Sequence, residues 1–177
     1  MASNSAVLVT GGVRSGKSRH AEGLVGDAEA LYVACGPVLD DPDWAARVAA
    51  HRSRRPGTWQ TVETLDVAAV VDGAGDRAVL VDCLGTWLTG LVDRAGLWEA
   101  PTDEVEGHVL AEVGALAAAV AGAPAPVVLV TNEVGLGVVP THRSGRLFRD
   151  LLGTVNQRVG AACGEVHLVV AGRVLRL

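Results

Sequence analysis

Large aromatic side chains are nearly missing from this sequence: one Phe, one Tyr and four Trp amount to 3% of its 177 residues. Hydrophobic residues still reach 49%, so the core has to be assembled from Val, Leu and Ala. That composition suits parallel strands buried on both faces. Cysteine is also sparse. Cys35, Cys83 and Cys163 are odd in number, widely separated and without metal-ligand spacing, so neither a disulfide framework nor a zinc site is indicated, and a reducing cytoplasm fits. Basic residues are outnumbered 15 to 20, for a net charge of -5. This argues against a nucleic-acid binder held by phosphate neutralisation, and any anion site must be local. No stretch approaches the ~18 uninterrupted apolar residues of a membrane span, and Met1–Ser5 lacks a basic segment leading into an apolar core. The expectation is a soluble protein without a membrane span, forming one domain over residues 1–177.

Short β-branched runs occur at Ala6–Val9, Leu31–Ala34, Ala78–Val81, Val127–Val130 and Val166–Val170, separated by longer stretches with helical periodicity. The alternation predicts βαβ units and an α/β domain with a mostly parallel sheet flanked by helices. The clearest helix covers about Thr102 to Ala121, with Val105, Val109, Val113, Leu116 and Val120 on one stripe and Asp103, Glu104 and Glu106 near its positive end. Gly172, between Val166–Val170 and Val174–Leu177, is placed to turn a C-terminal β-hairpin. The segment Asp93–Pro101 is expected to be a flexible connection.

The strongest local signal is Gly11-Gly12-Val13-Arg14-Ser15-Gly16-Lys17-Ser18, which satisfies G-x-x-x-x-G-K-[ST] between a predicted strand and a predicted helix. Glycines let backbone N–H groups converge on phosphates at a helix N-terminus, Lys17 reaches the outer phosphates and Ser18 is a candidate Mg²⁺ ligand. The expectation is a P-loop NTPase-like nucleoside triphosphate site. Asp82 ends the run Ala78–Val81, where a Walker-B-like carboxylate would meet magnesium, although a strand-end Asp serves equally as a helix cap.

A second centre stands out against the acidic background. Arg47, His51, Arg52, Arg54 and Arg55 occur together, with no acidic residue between Asp43 and Glu63. Guanidinium groups bind phosphate oxygens through paired donors and favour a neutral imidazole, which makes His51 a candidate nucleophile toward phosphorus. The same pattern also describes the solvated basic face of an amphipathic helix.

Several segments together resemble the bifunctional adenosylcobinamide kinase and adenosylcobinamide-phosphate guanylyltransferase family. They are Leu8 through Glu22, His51 with Arg54-Arg55-Pro56, Thr131-Asn132-Glu133-Val134-Gly135 continuing to Pro140, Phe148-Arg149-Asp150 and Val155-Asn156-Gln157-Arg158. The resemblance covers almost the whole chain and implies two reactions. The cradle would serve phosphorylation, by ATP or GTP, of the hydroxyl on the corrinoid's aminopropanol arm. The histidine matching His51 would take up GMP from GTP and pass it to the phosphorylated corrinoid. It further implies GTP contacts from Gly11 through Ser18, from Cys35-Gly36-Pro37, from Arg52-Ser53-Arg54-Arg55, and from Glu63 and Asp82. Either carboxylate would suit guanine's N–H donors. Mg²⁺ would lie near Ser18 and Asp82, and a homotrimer is implied.

Two departures are visible. Ala50 precedes a single histidine where some relatives carry two, and Cys35-Gly36-Pro37 is less polar than its counterpart in some of them. Asn132 and Glu133 are read either as orienting a ligand or as pinning the glycine loop after them. His20 is read as a packing or capping residue, and His108, His142 and His167 as structural or solvent-facing. Two other functions stay open on the sequence: a monofunctional P-loop small-molecule kinase, and a nucleotide-binding regulatory module, the latter disfavoured as a switch by the missing Asn-Lys-x-Asp motif.

Overall fold

The Val-rich runs form strands because side chains branched at Cβ fill a pleated surface well and have little rotamer freedom to lose there. The computed structural model describes residues 5–36, 49 and 55–177. Its strands are β1 (Val7–Thr10), β2 (Ala30–Ala34), β3 (Trp59–Glu63), β4 (Ala78–Asp82), β5 (Val127–Val130), β6 (Glu165–Val170) and β7 (Arg173–Arg176). Its helices, in chain order, are α1 (Lys17–Val25), α2 (Val67–Asp72), α3 (Leu84–Ala95), α4 (Thr102–Gly122) and α5 (Arg143–Ala162). The strands make one sheet of order β3-β2-β4-β5-β1-β6-β7. Every pairing is parallel except β6 with β7, which is the expected terminal hairpin.

The alternation of side chains divides the core between the two faces of this sheet. On one face α1 buries Ala21 and Val25 against Val9, Tyr32, Leu80, Val130 and Val169. The other face is thicker: Leu8, Val33, Val81 and Leu129 pack with the apolar stripes of α2, α3, α4 and α5. Trp87 of α3 is the largest side chain buried there, and its indole N–H is satisfied by the Leu65 carbonyl at 2.8 Å. α4 matches the expected helix closely and buries Val105, Val109, Val113, Leu116 and Val120. Among the described helices it alone is long and apolar enough, by length and composition, to cross a membrane; here its apolar stripe is part of the core.

Strand β3 escaped the sequence reading. Its residues Trp-Gln-Thr-Val-Glu mix polar and apolar positions because it lies at the sheet edge and is only half buried. The segment Asp93–Pro101 differs from expectation in another way. Asp93 to Ala95 finish α3, Gly96 takes the left-handed conformation that ends it, and Arg143 of α5 donates to the carbonyls of Trp98 and Ala100. Paired guanidinium donors thus hold a stretch that composition alone presented as free.

Candidate nucleotide site

Parallel strands deliver their C-terminal ends to one edge, and this is where the motif residues collect. The loop after β1 turns into α1 through Gly16, whose backbone is left-handed (φ 97°). Its internal fixings are short-range: Ser15 N donates to the Gly12 carbonyl at 3.3 Å and Lys17 Nζ donates to the same oxygen at 3.2 Å. Lys17 is only 8% exposed, so its ammonium is held against the loop it serves. Buried Ser15 Oγ makes no hydrogen bond to the described residues, and capacity of that kind inside a cradle of backbone amides suits a phosphate oxygen. Val13, at the tip, is 76% exposed.

The sequence reading missed what stands behind the cradle. The β6–β7 turn, Ala171-Gly172, has positive φ at both residues (50° and 74°), the geometry of a tight two-residue hairpin. Gly172 N donates to the Ser15 carbonyl at 2.8 Å, so the C-terminal hairpin braces the phosphate loop. Beside it, β6 presents Glu165, His167 and Val169 to the face that carries α1. His167, 1% exposed, bridges His20 of α1 (Nε2 to Nδ1, 2.9 Å) and Glu165 (Nε2 to Oε2, 2.7 Å). The carboxylate accepts, so His167 Nε2 carries a proton and His20 Nε2 must donate to Nδ1. Desolvation, then His167 and Arg176, push the His20 pKa below 6.5, whereas the hydrogen bond from His167 lowers that of Glu165. His20 and His167 are therefore packing residues, as expected, but they work as a clamp joining the first turns of α1 to β6. Register alternation on β6 combined with helical spacing on α1 is the one signal that would have suggested it.

Register levels the remaining strand ends. Ala34 is opposite both Glu63 and Asp82, so the two predicted carboxylates sit at the ends of β3 and β4 on the α1 face. Asp82 is half-buried and Glu63 exposed. Cys35 lies beyond β2 but turns its thiol to the opposite core, and burial pushes the Cys35 and Cys83 thiols well up; neither is a thiolate nucleophile at neutral pH. Gly36 follows it, half-buried. Arg55 is brought to the α1 face as well: its guanidinium stacks 3.4 Å from the centre of the Tyr32 ring and donates to Thr61 Oγ1 at 3.0 Å. Burial first, then the Asp82 carboxylate, raise the Tyr32 pKa, which puts Asp82, Tyr32 and Arg55 in one electrostatic neighbourhood. Pro37, His51, Arg52, Ser53 and Arg54 lie outside the described residues.

The end of β5 is tied to the cradle directly. Thr131 is fully buried, with its hydroxyl donating to Asn156 Oδ1 at 2.6 Å, and Asn156 Nδ2 donates to the Asn132 carbonyl at 3.0 Å. Glu133 N donates to the Gly11 carbonyl at 3.2 Å, and the Glu133 carboxylate accepts from Gly135 N at 2.7 Å. Glu133 thus pins the glycine loop, one of the two readings left open for it. A hollow lined by Leu24, Glu29, Arg77 and Pro126 lies at the opposite edge of the sheet and has no part in this site.

Comparison with known proteins agrees with this geometry. The family model described as cobinamide kinase / cobinamide phosphate guanyltransferase matches residues 7–177. The chain is 48% identical over 174 residues to the bifunctional adenosylcobalamin biosynthesis protein CobU of Salmonella typhimurium, covering 94% of this chain and 96% of that one. It is 47% identical to the Escherichia coli protein of the same name, with the same coverage, and 38% identical over 170 residues to CobP of Pseudomonas aeruginosa, covering 93% and 92%. In fold it is similar to an ATPase of a type III secretion system (TM-score 0.62, 11% identity), covering 93% of this chain and about half, 51%, of that one. A Pyrococcus horikoshii protein gives a TM-score of 0.57 at 6% identity, covering 99% and 87%.

Proposed function

The chain belongs to the cobinamide kinase / cobinamide phosphate guanyltransferase family, and from that membership we propose how its residues divide two reactions on a corrinoid. It is a bifunctional enzyme of cobalamin biosynthesis that phosphorylates cobinamide and then guanylylates the phosphate. The observation that carries the kinase half is the cradle itself: a complete phosphate loop in which the Lys17 ammonium is held against the loop by the Gly12 carbonyl. In this half the corrinoid hydroxyl attacks the outer phosphorus of ATP or GTP. Lys17 stabilises the charge that gathers on the transferring oxygens, and the amides of Gly11 to Ser18 hold the phosphates in line.

For the second half, the His51 imidazole attacks the α-phosphorus of GTP, a P–N bond forms and the bond to the pyrophosphate oxygen breaks. The phosphate of cobinamide phosphate then attacks the same phosphorus, the P–N bond breaks, and a diphosphate links corrinoid to guanosine. Arg52, Arg54 and Arg55 balance the triphosphate charge, and Ser53, Cys35, Gly36 and Pro37 are the further GTP contacts. The position of Arg55 on the α1 face, beside Asp82, supports this. Glu63 or Asp82 offers a carboxylate to guanine's N1–H and N2 amino donors. Oxygen donors at Ser18 and Asp82 fit Mg²⁺, which takes one or two protein oxygens and completes its shell with phosphate and water. Bound there, the ion would neutralise triphosphate charge. A homotrimer in the cytoplasm, each chain one domain over 1–177, completes the proposal.

The test is incubation with GTP and Mg²⁺ followed by intact-mass measurement under alkaline denaturing conditions, since a phosphoramidate is acid-labile. A GMP-sized adduct that disappears in His51→Asn, while that variant still phosphorylates cobinamide, is the expected result. Absence of any adduct on the native chain would leave a monofunctional kinase. Equal loss of both activities in a folded His51→Asn would refute the division of labour.

A further inference from the structure

The loop after Gly135 exposes three large aliphatic side chains within four residues: Leu136 at 90%, Val138 at 95% and Val139 at 56%. Loose packing does not explain it, because both stems of the loop are fastened to α5. Arg149 donates to the Gly135 carbonyl at 3.1 Å, Arg146 donates to the Thr141 carbonyl at 2.6 Å, and Gly145 gives room for the Pro140 ring. Two arginines spaced one helical turn apart thus hold the backbone while Leu136, Val138 and Val139 project outward. A cluster of exposed aliphatic residues on a fixed backbone marks a binding surface.

Position decides what binds there. Glu133, two residues before the loop, donates its backbone N–H to the carbonyl of Gly11, the first residue of the cradle, so the loop that carries the aliphatic surface springs from the rim of the phosphate site. An acceptor that brings its hydroxyl to that phosphate must rest the remainder of its bulk on adjacent surface. We infer that the loop 135–140 is the platform on which the corrinoid ring lies during phosphorylation. The aliphatic rim of the macrocycle covers Leu136, Val138 and Val139, and its amide arms reach toward the polar ends of the loop. The inference rests on the kinase reading given above. It assigns a macrocycle site to residues outside both nucleotide centres.

The triple variant Leu136→Ser, Val138→Ser, Val139→Ser tests it, and exposed positions of this kind leave folding intact, to be checked by an unchanged thermal midpoint. The expected result is a rise of about ten- to hundred-fold in KM for cobinamide, tenfold for each 1.4 kcal/mol of lost contact, with kcat at saturation retained. Nucleotide affinity and GMP uptake in the absence of corrinoid should match the native chain. An unchanged KM overturns the platform. So does a matching loss of nucleotide affinity, which would assign the loop to the purine, or a change of mass in sedimentation, which would show that a second copy covers it. A spectral titration of cobinamide binding to both chains keeps the platform testable even if the native chain proves to have no kinase activity.

Discussion

Two adjacent glycines in the phosphate loop should respond to alanine in opposite directions. A β-carbon at Gly11 would stand 2.4 Å from the Val169 carbonyl oxygen and 2.7 Å from Ser15 Oγ. The first of these is backbone of β6 and cannot rotate away, so strand and loop must separate, at the ~1–3 kcal/mol typical of overpacking. For a chain of this length each kcal/mol shifts the midpoint by about 2–4 °C, which puts Gly11→Ala roughly 2–12 °C below the native protein. At Gly12 nothing lies within 4 Å of the same added carbon, and its backbone is outside the left-handed region. Gly12→Ala should therefore gain ~0.4–1 kcal/mol from reduced freedom of the unfolded chain, a rise of about 1–4 °C. Calorimetry on both variants without nucleotide, repeated with a triphosphate, reads the two effects. Displacement of the cradle should also shrink the triphosphate-induced shift in Gly11→Ala. Were both variants to move by the same amount in the same direction, the close approach of β6 to the loop would be wrong.

Lys17→Ala should abolish most phosphoryl transfer and weaken triphosphate binding, because a buried ammonium at the cradle is lost; steady-state kinase kinetics indistinguishable from native would remove the lysine from the reaction. The His20 clamp should make stability depend on pH. Its pKa is depressed in the folded chain, so its contribution is present above about 6.5 and is lost as pH falls below that value, where the unfolded chain takes up a proton first. His20→Gln keeps a donor for His167 without titrating, and its urea midpoint should decline less than native between pH 7.5 and 5.5; parallel declines would show that His20 contributes nothing to acid sensitivity.

Much of the architecture was legible because it is written in local chemistry. Runs such as Val127–Val130, buried on all sides, announce parallel strands, and the spacing of Val105, Val109, Val113, Leu116 and Val120 announces α4. β3 was not legible, since an edge strand is under no obligation to be apolar on both faces. In the site, the glycines and Lys17 could be read from their spacing, because a loop that wraps phosphate needs those residues wherever it occurs. The relevance of Glu63 and Asp82 as neighbours depended on register, which no short stretch of sequence encodes.

The cradle, the alternating α/β order and the family could be read along the chain, since all of them rest on residues close together or on segments matched in order. Folding in three dimensions was needed to reveal that the C-terminal turn Ala171-Gly172 braces the cradle, that His167 joins His20 to Glu165, and that Arg55 lies over Tyr32. Each of these joins parts of the chain that are separated in sequence, His20 to β6, the C-terminal turn to the phosphate loop and Arg55 to β2, and they meet only once the strands are ordered side by side in one sheet.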